Sequence, residues 1–345
     1  MRKKLFAVII IQFIFDFQFA FTSYGQIKLR AGVECGIYGS TGTNILEQYD
    51  FFNSLEGQVG YDFKDDVREA NIKLRLKPEF YGLNNQLRTF KIRADGSFRQ
   101  SEKNFNWGFR ANRQLYKFNG RTIDLNYDSF NLIFDSDWFL LDGFPFSLST
   151  GYGNQKINND GSQNLDLYML DFCTFETLSE FSKICTGFYV EKFGVSGNVN
   201  IPSNQSVNSN DGWRYGPQII FNYIKYFVIN FEYRFLLHKS QMTRNFSYEQ
   251  LIRLVAGKLL TDKISAFVLA DLYFRNFKLN SLGENNLNLL YNSMNIDNRI
   301  YLKAAYDISR LVEVYLRTGY QKENLADNRF SYSGWNTILG IEIGN

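Results

Sequence analysis

The sequence predicts an all-β chain that closes into an antiparallel transmembrane barrel of about sixteen strands (about 14–18). Three observations lead to this prediction. The 345 residues include 34 Phe and 22 Tyr but only 4 Pro and 1 His, a composition that favours strands. Polar and apolar residues alternate with a period of two along unusually long segments. The longest polar connections all follow odd-numbered segments, which places them at one end of a barrel.

Composition and charge exclude several other classes of protein. Hydrophobic residues make up 45% of the chain and charged residues 21%, so the chain has enough core material to fold. The 38 Lys and Arg against 35 Asp and Glu give a net charge of +3, which is too balanced for a dedicated nucleic-acid binder. No apolar run beyond residue 25 is long enough for a transmembrane helix.

The beginning of the chain has the features of a secretory signal. Basic residues precede an apolar run over 5–21, and the small residues Ser23 and Gly25 then precede a cleavage point. An uncleaved anchor helix is the alternative, but the apolar run is short and interrupted by polar residues. We therefore predict a cleaved signal peptide over 1–25 and a transmembrane barrel over 26–345.

The strands follow from the alternation, which is clearest over 91–99, where charged and polar odd positions alternate with apolar even positions. Strands of this length match the roughly 9–11 residues that cross a bilayer at a tilt, whereas strands of soluble sheets are usually shorter. The predicted strands are 27–38, 55–64, 68–81, 87–100, 104–117, 121–134, 143–153, 164–176, 181–193, 213–225, 227–239, 246–258, 263–277, 298–307, 311–322 and 330–343.

The connections between these strands are asymmetric. Long polar segments over 39–54, 154–163, 194–212 and 278–297 follow odd-numbered strands, and most connections after even-numbered strands are tight. The segment 135–142 is the exception, because it predicts an unusually apolar turn. A soluble β-sandwich also alternates, but it would have shorter strands and more proline in its turns. Only a closed barrel satisfies every backbone group in lipid.

Aromatic residues at the predicted strand ends suit interfacial girdles; they are Phe63, Tyr127, Phe144, Tyr152, Trp213, Tyr223, Tyr226, Tyr306 and Tyr320. Together with the signal peptide, alternation and loop asymmetry, they make the whole chain resemble bacterial outer-membrane β-barrel proteins in the broad, porin-like sense. The resemblance is one of architecture. It implies localisation in a bacterial outer membrane, with lipid around the barrel and a polar lumen inside.

One face of the third and fourth predicted strands is strongly basic. If the apolar face meets lipid, this face lines the lumen and forms a wall that attracts small anionic solutes. The alternative, which the residues leave open, is that these side chains pair with acids across strands and only fill the interior. This basic wall consists of Lys73, Arg75, Lys77, Lys91, Arg93 and Arg99, with Asp95 as the one acid among them.

Candidate chemistry is sparse, so we predict neither an enzyme nor a cofactor. His238 and Ser240 have the spacing of the His-x-Ser of outer-membrane phospholipase A, which would suggest a barrel lipid hydrolase. The Asn-Gly expected next in that family is replaced by Gln241 and Met242, so a chance match is favoured. No metal-ligand spacing or catalytic motif occurs elsewhere.

The three cysteines, Cys35, Cys173 and Cys185, have no metal-binding spacing. Cys173 and Cys185 flank a short connection and would pair only in an oxidising compartment, so unpaired strand residues are the favoured interpretation.

The favoured function is a porin-like pore for small hydrophilic solutes, because sixteen strands enclose enough space for an aqueous channel. The alternative is a non-conducting barrel that serves as a docking scaffold for a surface or secretion machine, with a protein partner at loops 194–212 and 278–297. A solvated conformation is favoured for both loops, although loop 278–297 also has the apolar residues to fold inward, namely Leu287, Leu289, Leu290 and Tyr291. Four tyrosines are predicted to narrow the lumen, namely Tyr189, Tyr273, Tyr301 and Tyr315.

Overall fold

A computed structural model describes residues 25–40, 49–82, 87–119, 124–139, 145–158, 163–197, 209–286, 289–291, 298–325 and 330–344. In these residues sixteen antiparallel strands form one closed barrel. Each strand pairs with its neighbours along the chain, and the first strand pairs with the last. The predicted fold class and the predicted number of strands are therefore confirmed. The predicted signal peptide lies outside the described residues, apart from Gly25, and stays a prediction.

The strands contain between 12 and 17 residues. Their bounds are β1 Gly25–Ser40, β2 Tyr49–Lys64, β3 Arg68–Tyr81, β4 Leu87–Ser101, β5 Phe105–Asn119, β6 Asp124–Trp138, β7 Phe146–Asn158, β8 Gln163–Ser179, β9 Ser182–Gly197, β10 Ser209–Ile224, β11 Val228–Ser240, β12 Ser247–Leu259, β13 Ile264–Asn276, β14 Asn298–Ser309, β15 Val312–Leu325 and β16 Phe330–Gly344. A single short helix, α1, spans Ser281–Asn285 among the described residues.

Several strands extend further than the sequence indicates. β2 begins at Tyr49 and β7 continues to Asn158, so the predicted loops 39–54 and 154–163 are shorter than expected. Beyond the lipid, a strand needs backbone partners but no apolar face, so its polar ends carry no alternation signal. The asymmetry itself persists: tight turns join the strands at the end that holds both barrel termini, and the longer connections lie at the opposite, loop end.

Alternation along each strand separates two environments. Leu74 is 43% exposed on the outside of the barrel, while its neighbour Arg75 lines the lumen. Along β1 the outward side chains between residues 27 and 37 are all apolar or small. An apolar outer surface around a closed hydrogen-bonded sheet is the architecture that spans a bilayer. Within the described residues, no helix is long and apolar enough to cross a membrane.

Aromatic pairs occur at both ends of the outer surface. At the loop end the ring of Tyr152 lies 5.2 Å from that of Tyr168. At the turn end β6 continues through the predicted apolar turn 135–142 as far as Trp138, whose ring lies 4.3 Å from that of Phe105. Such rings suit the interface between lipid and water.

Two of the predicted girdle residues need separate mention. Tyr127 was assigned to the girdle, and that assignment was wrong. It lies an even number of residues from Asn131, which lines the lumen, so alternation turns it inward, and it is 4% exposed. Phe144 lies outside the described residues.

The two cysteines expected to be unpaired are joined. Cys173 on β8 and Cys185 on β9 form a disulfide, with their Cα atoms 5.9 Å apart. The strand register explains the pairing, because Cys173 lies opposite Gly187, two residues from Cys185, so both sulfurs point to the lumen side. Cys35 is an exposed free cysteine on the outer face of β1.

Replacing Ile92 with Arg tests which face meets lipid. Ile92 alternates with the lumen-lining Arg93, so the new charge would enter the apolar outer band and lower the free energy of unfolding by about 2–4 kcal/mol. The matched control is Asn112→Arg, which adds the same side chain to the lumen beside Asp95. Denaturant titration of vesicle-inserted barrels measures both values, and equal losses would contradict the assignment of faces.

Candidate functional site in the barrel lumen

The lumen contains a cavity of about 930 Å³. Among the described residues, every strand except β7 contributes to its lining. The lining is strongly unequal in charge, with eleven basic and five acidic side chains. The basic ones are Arg30, Arg75, Lys77, Lys91, Arg93, Arg214, Arg234, Arg253, Arg299, Lys303 and Arg317, and the acidic ones are Glu34, Glu56, Glu79, Glu191 and Glu342.

The predicted basic wall lies on the lumen side of β3 and β4. Its members Arg75, Lys77, Lys91 and Arg93 line the cavity. Lys73 shares their face by alternation and lies directly opposite Asp95. Arg99 lies nearer the turn end, where its Nη2 atom is 2.7 Å from the Asp137 carboxylate. The six side chains are thus on one face, and their role in attracting anions stays a prediction.

Acidic partners accompany the basic wall, which agrees with the alternative that these side chains pair with acids across strands. Lys77 Nζ lies 2.7 Å from the carboxylate of Glu34, 3.7 Å from that of Glu56 and 3.9 Å from that of Glu79. Lys91 Nζ lies 3.0 Å from Glu79. Sequence reasoning missed all three acids. Glu79 shares the odd positions of β3 and was visible there, whereas Glu34 and Glu56 lie on β1 and β2, and only the strand register brings their carboxylates to Lys77.

Side-chain length gives this paired wall a basic surface. The Arg75 side chain is 44% exposed, against 25% for its partner Glu56. Arg93 is 50% exposed, against 31% for Asp95. The longer guanidinium groups extend past the carboxylates toward the axis of the lumen, and Arg93 borders the cavity whereas Asp95 does not. The wall is therefore near neutral at its base and positive where a solute would meet it.

A second group of charges is buried near the loop end of β9–β13. The Arg214 guanidinium lies between two carboxylates, with Nη1 3.2 Å from Glu191 Oε1 and Nε 3.2 Å from Glu249 Oε2. The Nδ1 atom of His238 lies 2.5 Å from Glu249 Oε1. Tyr189 donates a hydrogen bond of 2.6 Å to Glu191, and Tyr273 donates one to Glu249. We call these six residues the Arg214 cluster.

Residues 277–286 and 289–291 cover the Arg214 cluster from the loop end, and we call these residues alone segment 277–291. The Tyr291 ring lies 4.3 Å from the Arg214 guanidinium, and its backbone carbonyl accepts a hydrogen bond of 3.1 Å from Arg275. Asn210 donates a bond of 2.9 Å to the carbonyl of Leu289. Leu289 and Tyr291 are almost fully buried. Burial raises the pKa of the Tyr291 phenol well above its usual range, against the opposing charge of Arg214.

The solvated conformation favoured for loop 278–297 is therefore wrong for this part of it. Apolar residues that the sequence already displayed, Leu289 and Tyr291, pack inward because the lumen below offers buried rings, including that of Phe193 at 4.8 Å. Leu287 and the remainder of that loop lie outside the described residues, as does most of loop 194–212.

His238 and Ser240 do not act on each other in this arrangement. The histidine engages Glu249, and the Ser240 hydroxyl lies 3.1 Å from that of Thr243. Among the described residues, no three His, Cys, Asp or Glu side chains form a group suited to a metal ion. The tyrosines that were predicted to narrow the lumen do face it: Tyr189, Tyr301 and Tyr315 line the cavity, and Tyr273 is buried in the Arg214 cluster.

The fold and the lumen define a sixteen-stranded transmembrane β-barrel with a polar interior. No family model matches the sequence, and no curated protein does. Three solved barrels show the extent of structural similarity.

CdiB from Acinetobacter baumannii is 8% identical with a TM-score of 0.47, and the match covers 92% of this chain but 60% of CdiB. OpdQ from Pseudomonas aeruginosa is 9% identical with a TM-score of 0.43, covering 93% and 97% of the two chains. The P. putida toluene transporter TodX is 10% identical with a TM-score of 0.38, covering 94% and 91%. Each similarity is one of barrel architecture.

Replacing Arg214 with Met tests the burial of the cluster. The change leaves Glu191 and Glu249 without their shared cation inside the barrel, and we expect it to lower the free energy of unfolding by about 3–5 kcal/mol. Arg93→Met is the control, because its exposed pair with Asp95 should contribute at most about 1 kcal/mol. Denaturant unfolding of both variants provides the comparison, and a small loss for Arg214→Met would mean that the cluster is hydrated.

Proposed function

We propose that this protein is a porin-like pore of a bacterial outer membrane that passes small hydrophilic solutes and favours anions. The observation that carries the proposal is the lining of the central cavity, which has eleven basic side chains but only five acidic ones. Local charge, rather than the net charge of +3, governs which ions enter a narrow polar passage, because low-dielectric walls focus the field.

The paired arrangement of the wall suits such a passage. Fixed carboxylates hold the basic side chains in place, so an entering anion meets guanidinium groups that are already oriented. An example on another strand is Arg299, 46% exposed, whose Nη2 atom lies 2.6 Å from Asp271. An anion can bind briefly at such exposed groups without displacing the ion pair beneath. Binding of this weak, repeated kind allows a solute both to enter and to leave.

A docking scaffold is the second candidate function. The observation that favours it is the packing of segment 277–291 into the loop end, which fills lumen space above the Arg214 cluster. In that case the barrel would serve as a platform for a protein partner at loops 194–212 and 278–297, and it would conduct little. Electrical measurement separates the two candidates directly.

Neutralising the basic wall should weaken the preference of the pore for chloride. In the variant Lys73→Gln, Arg75→Gln, Lys91→Gln and Arg93→Gln, the partner carboxylates of Glu56, Glu79 and Asp95 remain. The sector therefore becomes acidic without any added charge. Reversal potentials in a planar bilayer under a KCl gradient should shift only part of the way toward potassium, because eight basic side chains still line the cavity, and replacement of the same four residues by Glu should make them potassium-favouring.

The matched control neutralises four cations at the turn end, away from the basic wall: Lys225, Lys258, Lys263 and Arg310. It changes the net charge equally and should leave the chloride preference in place. Unchanged selectivity in the wall variant would mean that the ion pairs of the basic wall are structural and do not set the ion preference. A folded wild-type barrel without measurable current would reject the pore and favour the docking scaffold.

Shortening Tyr291 should widen the passage. Its ring lines the cavity and is held over Arg214, so Tyr291→Ala removes bulk from the loop end while leaving the strands paired. We expect a higher single-channel conductance, with Tyr291→Phe as the control that keeps the ring. Identical conductance in the alanine and phenylalanine variants would show that ions do not pass beside this segment.

A further inference from the structure

One sector of the lumen differs from the charged remainder. β7 contributes no side chain to the cavity lining, because its lumen-facing positions there are Gly151 and Gly153. Apolar residues of the adjoining strands flank this strip, with Ile133 on β6 and Leu167 and Met169 on β8, and all three line the cavity. We call these five residues the glycine groove.

The strand register defines the shape of the groove. Gly151 lies opposite both Ile133 and Met169, so one row crosses three strands with no side chain in the middle. In the next row, two residues or ~7 Å further along the strands, Gly153 lies between Leu167 and Asn131, and a Cβ atom added at Gly153 would lie 2.6 Å from the Asn131 Oδ1 atom. The groove is therefore a trough about as long as a short hydrocarbon chain, apolar except for the Asn131 amide beside Gly153.

Met169 lies across the floor of this trough. A Cβ atom added at Gly151 would lie 2.7 Å from the Met169 Cε atom, so the thioether side chain occupies the space that other residues would fill with a fixed side chain. Methionine is unbranched and adapts readily to irregular apolar surfaces. A bound hydrocarbon can therefore displace the end of this side chain without moving a strand.

We propose that the lumen contains a binding site for small amphipathic carboxylates, whose hydrocarbon body lies in the glycine groove while the carboxylate faces guanidinium groups on the lumen side of the neighbouring strands. The site names the solute class for the proposed pore and so rests on that function, although binding itself does not require conduction. Water against an apolar trough is readily replaced by hydrocarbon, and a few convergent polar groups fix the orientation of such ligands.

The basic excess of the cavity selects against a neutral occupant. A carboxylate forms short, charge-assisted hydrogen bonds with exposed guanidinium groups such as that of Arg110, which lies opposite Ile133 on the lumen face of β5 and whose side chain is 60% exposed. A neutral alcohol makes the same apolar contact but no ionic contact. A small hydrophilic anion makes the ionic contact but no apolar contact. High affinity should therefore require both the hydrocarbon chain and the carboxylate of the ligand.

Calorimetric titration of the full barrel in detergent micelles tests the site, with titration of empty micelles subtracted. Acetate, butanoate and hexanoate form the ligand series, and hexanol provides the same hydrocarbon without the charge. We expect affinity to rise about two- to fourfold with each methylene group as far as hexanoate. Hexanol should bind at least about tenfold more weakly than hexanoate.

The variant Ile133→Thr with Met169→Gln makes the groove polar while keeping side chains of similar size. It should weaken hexanoate binding about tenfold and leave acetate binding unchanged. Leu269→Gln is the matched control, because Leu269 lines the same cavity on β13, outside the groove. Hexanoate binding should survive this change.

The wild-type ligand series needs no variant to fold, so it decides the proposal alone if the double variant misfolds. Affinity that does not depend on chain length would overturn the groove as a binding site, even if chloride current proves the pore. Conversely, chain-length-dependent binding without any chloride current would support the groove and reject the pore. Equal loss in the double variant and in Leu269→Gln would locate the apolar contact elsewhere in the lumen.

Discussion

The structure depends on one constraint, the pairing of every backbone amide with a neighbouring strand. In lipid no water can satisfy a free edge, so the first and last strands must meet. They do so over a continuous register in which Val33 lies opposite Ile341 and Cys35 lies opposite Leu339. Once the sheet is closed, alternation of side chains divides the chain between two solvents. Apolar residues predominate on the outside, and most of the charge lies in the lumen.

That confinement explains why the lumen is built from ion pairs. Charges that are crowded inside a low-dielectric wall are costly unless opposite partners lie nearby. Glu34 shows the result, because it accepts a hydrogen bond from Tyr315 at 2.6 Å and lies 2.7 Å from Lys77 and 3.3 Å from Arg317. The proposed anion preference arises within this near balance. It comes from the greater length of arginine and lysine, which places positive groups closer to the axis.

Local alternation was enough to predict the strands, their number and the face of the basic wall, because side-chain direction in a strand depends on residue parity alone. Contacts across several strands were not predictable in the same way. The partners of Glu34 lie on β3 and β15, which only barrel closure and curvature bring to either side of β1. Segment 277–291 was ambiguous for another reason: Leu289 and Tyr291 suited an inward fold, but their burial depends on space that the sequence does not describe.

The Arg214 cluster and the basic wall divide the lumen into two unlike sides. In the Arg214 cluster the charges are desolvated, with side-chain exposures of 4% for Arg214 and 1% for Glu249, and segment 277–291 covers them. On β2–β4 the pairs of Arg75 with Glu56 and of Arg93 with Asp95 remain hydrated, and both arginines line the cavity. A hydrated ion keeps more of its solvation energy beside β2–β4 than beside the Arg214 cluster. The proposed passage therefore runs along β2–β4 and past the glycine groove. The buried Arg214 cluster forms the rigid boundary on the opposite side of this path.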